Sequence, residues 1–216
     1  MEASVNEETP ETMAIGEMPT GENVPHERCP RQPLVTERLN AETVGEAVYD
    51  AIRQCAVTLR PDFQRAVEAA REEAVPESRE AGVLDRILEN ARIGVTDGVP
   101  ICQDTGSVWV CLEVGEKLSV PGNIFSRVND AVARAYTDGR LRMSLVRDAL
   151  FDRANTGDNT PAFCELKLVP GTSATLHVLL KGGGSDNASR VVMLPPGAGA
   201  NGVRKVVLDC VREKAA

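Results

Sequence analysis

Apolar residues recur at three- and four-residue steps through the first third of the chain, as expected for one face of an α-helix. Asn40 is a favourable N-cap residue, and the pattern after it predicts a helix to about residue 59. Pro61 begins a second helix, and a third is predicted over roughly 78–92. The turn residues Asp97-Gly98 end this helical module. The predicted inner stripes are Val44, Ala47, Val48, Ala51, Ile52 and Cys55, then Phe63, Ala66, Val67 and Ala70, then Leu84, Ile87, Leu88 and Ala91.

Beyond residue 100 the pattern changes to short apolar runs that are typical of strands. The predicted strands and helices are 107–114, 162–169, 172–180 and 190–194 for strands, and 124–137 and 201–213 for helices. Pro170-Gly171 predicts a hairpin-like connection between two of these strands. The sequence therefore predicts an α+β (mixed) fold, in which an N-terminal helical module precedes a mixed strand–helix part with polar loops at strand ends.

The N-terminal segment differs from the rest of the chain in composition. Residues 1–33 contain five of the thirteen prolines and no hydrophobic period. Residues 1–30 hold seven Glu and one Arg, which account for −6 of the net charge of −8. These features predict a disordered acidic tail over 1–34 and one folded domain over 35–216.

The overall composition excludes some functions. A net charge of −8 argues against nucleic acid as the main partner. No run of eighteen apolar residues occurs, so we expect no transmembrane helix and no membrane partner. The acidic N-terminus lacks the basic start and apolar stretch of a secretory signal, so a cytoplasmic protein is expected.

The chain has six cysteines, and none are paired as Cys-x-x-Cys. Without an export signal, reduced thiols are expected. Cys29 follows His26 in the tail, which is a weak metal signal. The cysteines expected to act as small buried hydrophobic residues are Cys55, Cys111, Cys164 and Cys210.

Residues 100–106, Pro-Ile-Cys-Gln-Asp-Thr-Gly, form the most informative string, which we name the cysteine loop. Cys102 is a soft metal ligand, and the amide, carboxylate and hydroxyl that follow it can bind or protonate a polar substrate. A turn closed by Asp and Gly with an incidental cysteine is the alternative interpretation.

Two further strings are rich in polar residues and glycine. The asparagine loop, residues 155–161, is Asn-Thr-Gly-Asp-Asn-Thr-Pro, and an ordinary turn would also use these residues. The glycine segment, residues 181–187, is Lys-Gly-Gly-Gly-Ser-Asp-Asn, and its glycines would let backbone N–H groups approach an anion closely. A flexible loop is the alternative for this segment.

A glycine pattern, Gly197-Ala-Gly-Ala-Asn-Gly202, satisfies G-x-G-x-x-G between a strand-like and a helix-like segment. Only fourteen residues follow it, so the chain contains no second strand or acidic ribose-binding residue of a dinucleotide fold. We therefore favour a substrate carboxylate over a dinucleotide at this helix start.

Four strings in order resemble one family: the cysteine loop, the asparagine loop, the glycine segment, and residues 141–147, Leu-Arg-Met-Ser-Leu-Val-Arg, which we name the arginine segment. They are similar to the α part of class I fumarases and L-tartrate dehydratases, over about residues 36–216. The resemblance implies an N-terminal portion of the α subunit of an iron–sulfur hydro-lyase. Such an enzyme adds water to, or removes it from, a small dicarboxylic acid of the fumarate/malate or tartrate/oxaloacetate type.

The resemblance also implies a [4Fe–4S] cluster with Cys102 as its first ligand. The family's other cluster cysteines lie in a Cys-Pro-Pro string and beyond, and this sequence ends before that string. The remaining ligands are thus expected outside this chain, in a missing C-terminal α segment, and further site residues in a β subunit. We expect the chain alone to be inactive, and the assembled enzyme to be an oligomer. A non-catalytic interaction domain, or a degenerate relative that has lost the cluster, is the alternative.

The resemblance implies a substrate role for six residues. Asp104 is expected to bind substrate and transfer a proton, and Arg142 to grip a substrate carboxylate. The full set of implied substrate-binding residues is Gln103, Asp104, Arg142, Gly182, Gly183 and Gly184.

Overall fold

The structure, a computed structural model, describes residues 39–120 and 122–215. Its helices and strands in chain order are α1 (Ala41–Val57), α2 (Pro61–Glu73), α3 (Arg79–Asp97), β1 (Ser107–Gly115), α4 (Val128–Asp138), β2 (Phe163–Val169), β3 (Ala174–Lys181), α5 (Gly183–Ala188) and α6 (Gly199–Ala215). A 3₁₀ turn, Pro196–Ala198, precedes α6. Helices and a small mixed sheet confirm the α+β fold class. The tail predicted over 1–34, with His26 and Cys29, lies outside the described residues.

The helical module begins and ends where its capping residues predict. The Asn40 side chain accepts a hydrogen bond from the backbone N–H of Thr43 at 2.9 Å, as an N-cap residue does. Ser78 caps α3 in the same way. This helix continues past residue 92 to Asp97, because Gly98 adopts the left-handed conformation, with φ 65°, that ends it.

The three strands form a sheet in the order β2-β1-β3. β1 pairs in parallel with β2 and antiparallel with β3. The predicted hairpin between the second and third strands is therefore wrong. The connection through Pro170-Gly171 passes the end of β1, where Gly115 N–H donates to the Ser173 carbonyl at 2.8 Å. β1 is the central strand, and one of its faces is apolar and buried.

The core lies between one face of the sheet and the helices α1 and α4. Alternate residues of β1 point into it, as the two-residue period of a strand requires. The buried residues from these three elements are Val108, Val110, Leu112 and Val114 from β1, Val44, Val48, Ile52 and Ala56 from α1, and Val128, Ala131, Val132, Ala135 and Tyr136 from α4. The apolar stripe predicted for α1 is thus confirmed at Val44, Val48 and Ile52.

The C-terminal part departs from the sequence prediction. Residues 190–194 form no strand, and the side chains of Val191 and Met193 are 94% and 90% exposed. An apolar run becomes a strand only beside a hydrogen-bonding partner, and residues 190–194 pair with none of the described strands. Helix α6 is present as predicted, but three of its valines are more than half exposed, namely Val203, Val207 and Val211.

None of the four cysteines predicted to be buried is fully buried, and two of them are exposed. Cys55 is exposed because Ile52 and Ala56, rather than Cys55, face the core from α1. Cys164 is exposed because it lies on the edge strand β2. Cys111 and Cys210 are half-buried, and Cys102, Cys111, Cys164 and Cys210 are free thiols. Burial raises the pKa of the Cys111 thiol.

Among the described residues, the helices are all too short or too polar to cross a membrane.

Candidate functional site

The cysteine loop leads from the end of α3 into β1. Its entrance is fixed by two hydrogen bonds: Ile101 N–H donates to the Ala56 carbonyl at 3.0 Å, and the Asn90 side chain donates to the Ile101 carbonyl at 2.7 Å. Cys102 follows this anchored residue and is exposed. Its sulfur accepts a hydrogen bond from Asp104 N–H at 3.4 Å. A thiol held in this way at the surface is accessible to a metal or cluster.

Asp104 joins the cysteine loop to the glycine segment. Its Oδ2 accepts a hydrogen bond from Gly183 N–H at 2.8 Å. A Cβ on Gly182 would lie 3.0 Å from the same oxygen, so a larger residue there would crowd the carboxylate. The Oδ1 atom accepts no hydrogen bond from residues 39–120 and 122–215. One carboxylate oxygen is thus fixed by the backbone while the other remains available.

The close contact between these two strings requires glycine at position 106. Gly106 has φ 60°, in the left-handed region, and a Cβ built on it would lie only 1.9 Å from the Lys181 carbonyl oxygen. The backbone of the cysteine loop therefore packs directly on the backbone at the end of β3. The three glycines do not form an open loop, because the second of them begins the short helix α5.

The arginine segment also contacts the cysteine loop. The hydroxyl of Thr105, which is buried, donates to the Arg142 carbonyl at 2.7 Å. The Arg142 side chain is exposed, and within the described part of the chain its guanidinium has no hydrogen bond or ion pair. The backbone of Arg142 is thus anchored beside the cysteine loop, and no described carboxylate pairs with its guanidinium.

The asparagine loop forms hydrogen bonds to two other segments of the site. Asn159 is completely buried and contacts both the cysteine loop and the arginine segment. Asp158 stabilises the turn, since its Oδ1 accepts from the Thr160 hydroxyl at 2.8 Å and from Thr160 N–H at 3.0 Å. These hydrogen bonds lower the pKa of the Asp158 carboxyl below its ordinary value. The alternative reading of this loop as an ordinary turn holds for Asp158.

Tyr136 of α4 is a support that the sequence motifs did not reveal. Its hydroxyl, buried in the core, donates to the Thr105 carbonyl at 2.9 Å and to the Gly106 carbonyl at 3.2 Å. Burial raises the pKa of this phenol. The sequence carried one usable signal: Tyr136 falls on the apolar side of a predicted helix, where a buried hydroxyl needs a partner.

The four strings that the sequence singled out therefore meet in space. The structure brings Asp104 against Gly182 and Gly183, and it joins the backbone of Arg142 to Thr105. Gln103 is exposed next to the cysteine, with its Oε1 3.9 Å from the Cys102 sulfur. A Cβ built on Gly184 would have no heavy atom within 4 Å, so this glycine is not closely packed against the other site residues.

The donor set for a metal is incomplete within the described residues. They contain no group of three or more His, Cys, Asp or Glu side chains placed to hold a metal ion. A [4Fe–4S] cluster is held by several thiolates, and this site offers Cys102 alone. The described chain by itself does not fit a whole cluster.

The glycine pattern at 197–202 lacks the surroundings of a dinucleotide site. Its first glycines lie in the 3₁₀ turn and the start of α6, and residues 190–194 before them form no strand. The strand–turn–helix arrangement that gives such a pattern its meaning is absent from the described part of the molecule.

Comparison with known proteins agrees with these motifs. Fumarate hydratase 2 of Leishmania major is 30% identical over 151 residues, which are 69% of this chain and 27% of that protein. The L(+)-tartrate dehydratase subunit alpha of Escherichia coli strain UTI89 is 32% identical over 131 residues, covering 59% and 43% of the two chains. The anaerobic class I fumarate hydratase of Escherichia coli K12 is 28% identical over 153 residues, covering 69% and 28%.

The chain spans less than half the length of each of these three relatives. The family model described as fumarate hydratase (Fumerase) matches residues 45–216, a stretch that contains all four strings of the site. This chain belongs to the fumarate hydratase (Fumerase) family.

Proposed function

We propose that this chain is part of a hydro-lyase that adds water to, or removes it from, a small dicarboxylic acid of the fumarate/malate or tartrate/oxaloacetate type. Family membership supports the reaction class. The observation that supports the proposal is that hydrogen bonds join the segments carrying Asp104 and Arg142 beside the exposed thiol of Cys102. A diacid needs cationic recognition, and its hydration needs a proton donor or acceptor.

Asp104 is the residue we propose for proton transfer. In dehydration, a base removes a proton from the carbon next to a carboxylate, and the hydroxyl on the neighbouring carbon departs with a proton as water. Asp104 is suited to this exchange because Gly183 N–H fixes one of its oxygens and leaves Oδ1 without a hydrogen bond from the described residues. A fixed orientation lowers the entropy cost of the proton transfer.

Arg142 is proposed to bind a substrate carboxylate, with Gln103 as a further polar contact. The planar guanidinium can donate two parallel hydrogen bonds to a carboxylate. The backbone of Gly182, Gly183 and Gly184 is proposed to line the same substrate region. Gly183 N–H is already bonded to Asp104, so its contribution is to hold the carboxylate in place.

We further propose that Cys102 is one ligand of a [4Fe–4S] cluster whose other ligands lie outside this chain. When bound, such a cluster supplies a Lewis-acidic iron. The proposed partners are a C-terminal α segment and a β subunit, in keeping with relatives named as alpha subunits. The chain alone is proposed to be inactive, and the complete enzyme to be an oligomer. The cytoplasmic location stays a prediction.

The cluster proposal is tested with two cysteine variants of the native complex purified without oxygen. Cys102→Ser should lose iron and hydratase activity with fumarate and L-tartrate. Cys164→Ser is the matched control, since both thiols are exposed and free, and it should keep both properties. Wild-type complex without iron and without hydratase activity would instead identify a non-catalytic relative, and a fully active Cys102→Ser variant would remove the ligand role.

The roles of Asp104 and Arg142 are tested in the same complex. Asp104→Asn keeps an oxygen for Gly183 N–H, so the variant should fold while kcat falls by roughly 10²–10⁴-fold, the range for general acid–base groups. Arg142→Lys should raise KM for the diacid, because lysine cannot form the two parallel hydrogen bonds. Arg147→Lys, at another exposed arginine of the same segment, should leave kcat and KM unchanged.

A further inference from the structure

Asn159 is a fully buried polar residue in the middle of the asparagine loop. It adopts φ 59°, in the left-handed region, which asparagine tolerates better than most residues. Burying an amide is costly unless its donors and acceptors are bonded. The hydrogen-bond partners of the Asn159 amide must therefore account for its burial.

The Asn159 side chain makes three hydrogen bonds to two different parts of the site. Its Oδ1 accepts from Ser144 N–H at 2.7 Å and from Leu145 N–H at 3.1 Å, both in the arginine segment. Its Nδ2 donates to the Gly106 carbonyl at 2.9 Å, at the end of the cysteine loop. The partners fix the orientation of the amide, since only oxygen can accept from N–H and only nitrogen can donate to a carbonyl.

We propose that Asn159 is a positioning residue that sets the distance between the proton-transferring carboxylate and the substrate-binding guanidinium. Gly106 lies two residues after Asp104, and Ser144 lies two residues after Arg142. The amide therefore connects the backbones that carry the two functional side chains. This inference rests on the proposed hydro-lyase function and adds to it a residue that contacts neither substrate nor cluster.

The chemistry of the bridge requires asparagine. Aspartate would retain the two acceptor contacts to the arginine segment, but its second oxygen would face the Gly106 carbonyl and repel it. Glycine would keep the left-handed backbone without strain and lose all three hydrogen bonds. Asn159→Asp therefore removes only the donor contact to Gly106, whereas Asn159→Gly removes all three hydrogen bonds.

Other contacts hold each segment to the domain, so the bridge governs geometry more than folding. Tyr136 still holds the cysteine loop to α4, and the Thr105 hydroxyl still contacts the Arg142 carbonyl. Loss of the Asn159 bridge should therefore leave the elements in place and let the two segments shift relative to each other.

The test uses the holoenzyme purified without oxygen, with fumarate or L-tartrate as substrate, whichever the wild type converts. Asn159→Asp and Asn159→Gly should each raise KM at least tenfold and lower kcat/KM by about a hundredfold, the effect of a misplacement of about 1 Å. Reversible unfolding would also raise the apparent KM, in proportion to the inverse of the folded fraction, so the comparison is made only with variants that near-UV circular dichroism shows to be fully folded under the assay conditions. Asn123→Asp, at an exposed loop asparagine whose side-chain oxygen accepts from Phe125 N–H, should match the wild type.

A wild-type KM in both Asn159 variants would overturn the inference. If neither variant folds, hydrogen exchange of the wild-type holoenzyme decides: the Ser144 and Leu145 amides should be protected, and exchange at the rate of exposed loop amides would overturn it. A wild type that hydrates neither substrate would refute the proposed function, whereas an active wild type with unaffected variants refutes only the positioning role.

Discussion

Replacing Gly106 with alanine should damage both the fold and the site. The new Cβ would lie 1.9 Å from the Lys181 carbonyl oxygen and 2.6 Å from Gly182 N. An ordinary contact begins at about 3.4 Å, so the two backbones must separate by roughly 1.5 Å. Because Gly183 N–H binds Asp104, this movement would also disturb the carboxylate.

The cost of this substitution has two parts. The left-handed conformation of Gly106 costs an alanine roughly 1–2 kcal/mol. Forcing a methyl group between closely packed backbones costs about 1–3 kcal/mol more, which is the usual cost of overpacking a protein core. We therefore expect the free energy of unfolding to fall by about 2–5 kcal/mol.

Gly98→Ala separates these two parts. Gly98 has φ 65°, close to that of Gly106, but a Cβ there would meet nothing within 4 Å. Urea unfolding of the purified protein should show that Gly98→Ala loses only the conformational part, about 1–2 kcal/mol. If Gly106→Ala is no more destabilising than Gly98→Ala, the close packing of the cysteine loop on the end of β3 is refuted.

Three further predictions concern the supports of the site and the hydrophobic core. Tyr136→Phe leaves buried carbonyls of the cysteine loop with fewer donors and should lower the free energy of unfolding by about 1–3 kcal/mol in urea; an unchanged midpoint would contradict the buried hydrogen bonds. Because Asp158 has a pKa lowered below 3.8 in the folded state, the stability advantage of wild type over Asp158→Asn should be present at neutral pH and vanish as the pH falls through that folded-state value; a pH-independent difference in Tm would oppose this. Leu112→Ala should cost about 2–5 kcal/mol, whereas Leu168→Ala, at a side chain 69% exposed, should change stability by only about 0.5 kcal/mol; equal losses would contradict the placement of the core.

The elements that the sequence predicted well are those governed by local spacing. The start of α1 at its Asn40 cap, the start of α2 at Pro61, and the strand over 107–114 all agree with the structure. Helix periodicity and capping depend on residues three or four positions apart, which the sequence displays directly. The four site strings were recognisable for a similar reason, since each is short and unusual in composition.

Within a single motif, however, the sequence does not show which residue has which structural role. The asparagine loop was identified as a unit, yet its sequence did not distinguish Asp158, which stabilises its own turn, from Asn159, which bridges two distant segments. Both residues are common in turns. Only the identity of their hydrogen-bond partners, 14 to 53 positions away in the case of Asn159, separates the two roles.

The sequence by itself determined helices α1 to α4 and α6, the approximate positions of the three strands, and the family, and it supplied the residues proposed for the site. The tertiary structure alone decided that β1 lies between β2 and β3, that residues 190–194 form no strand, and that the four strings meet at one place. The physical reason is that strand order and loop contact depend on hydrogen bonds and steric fit between residues far apart in the chain. Gly106 against Lys181 is such a contact: 75 positions separate them, and the missing side chain is what lets them touch.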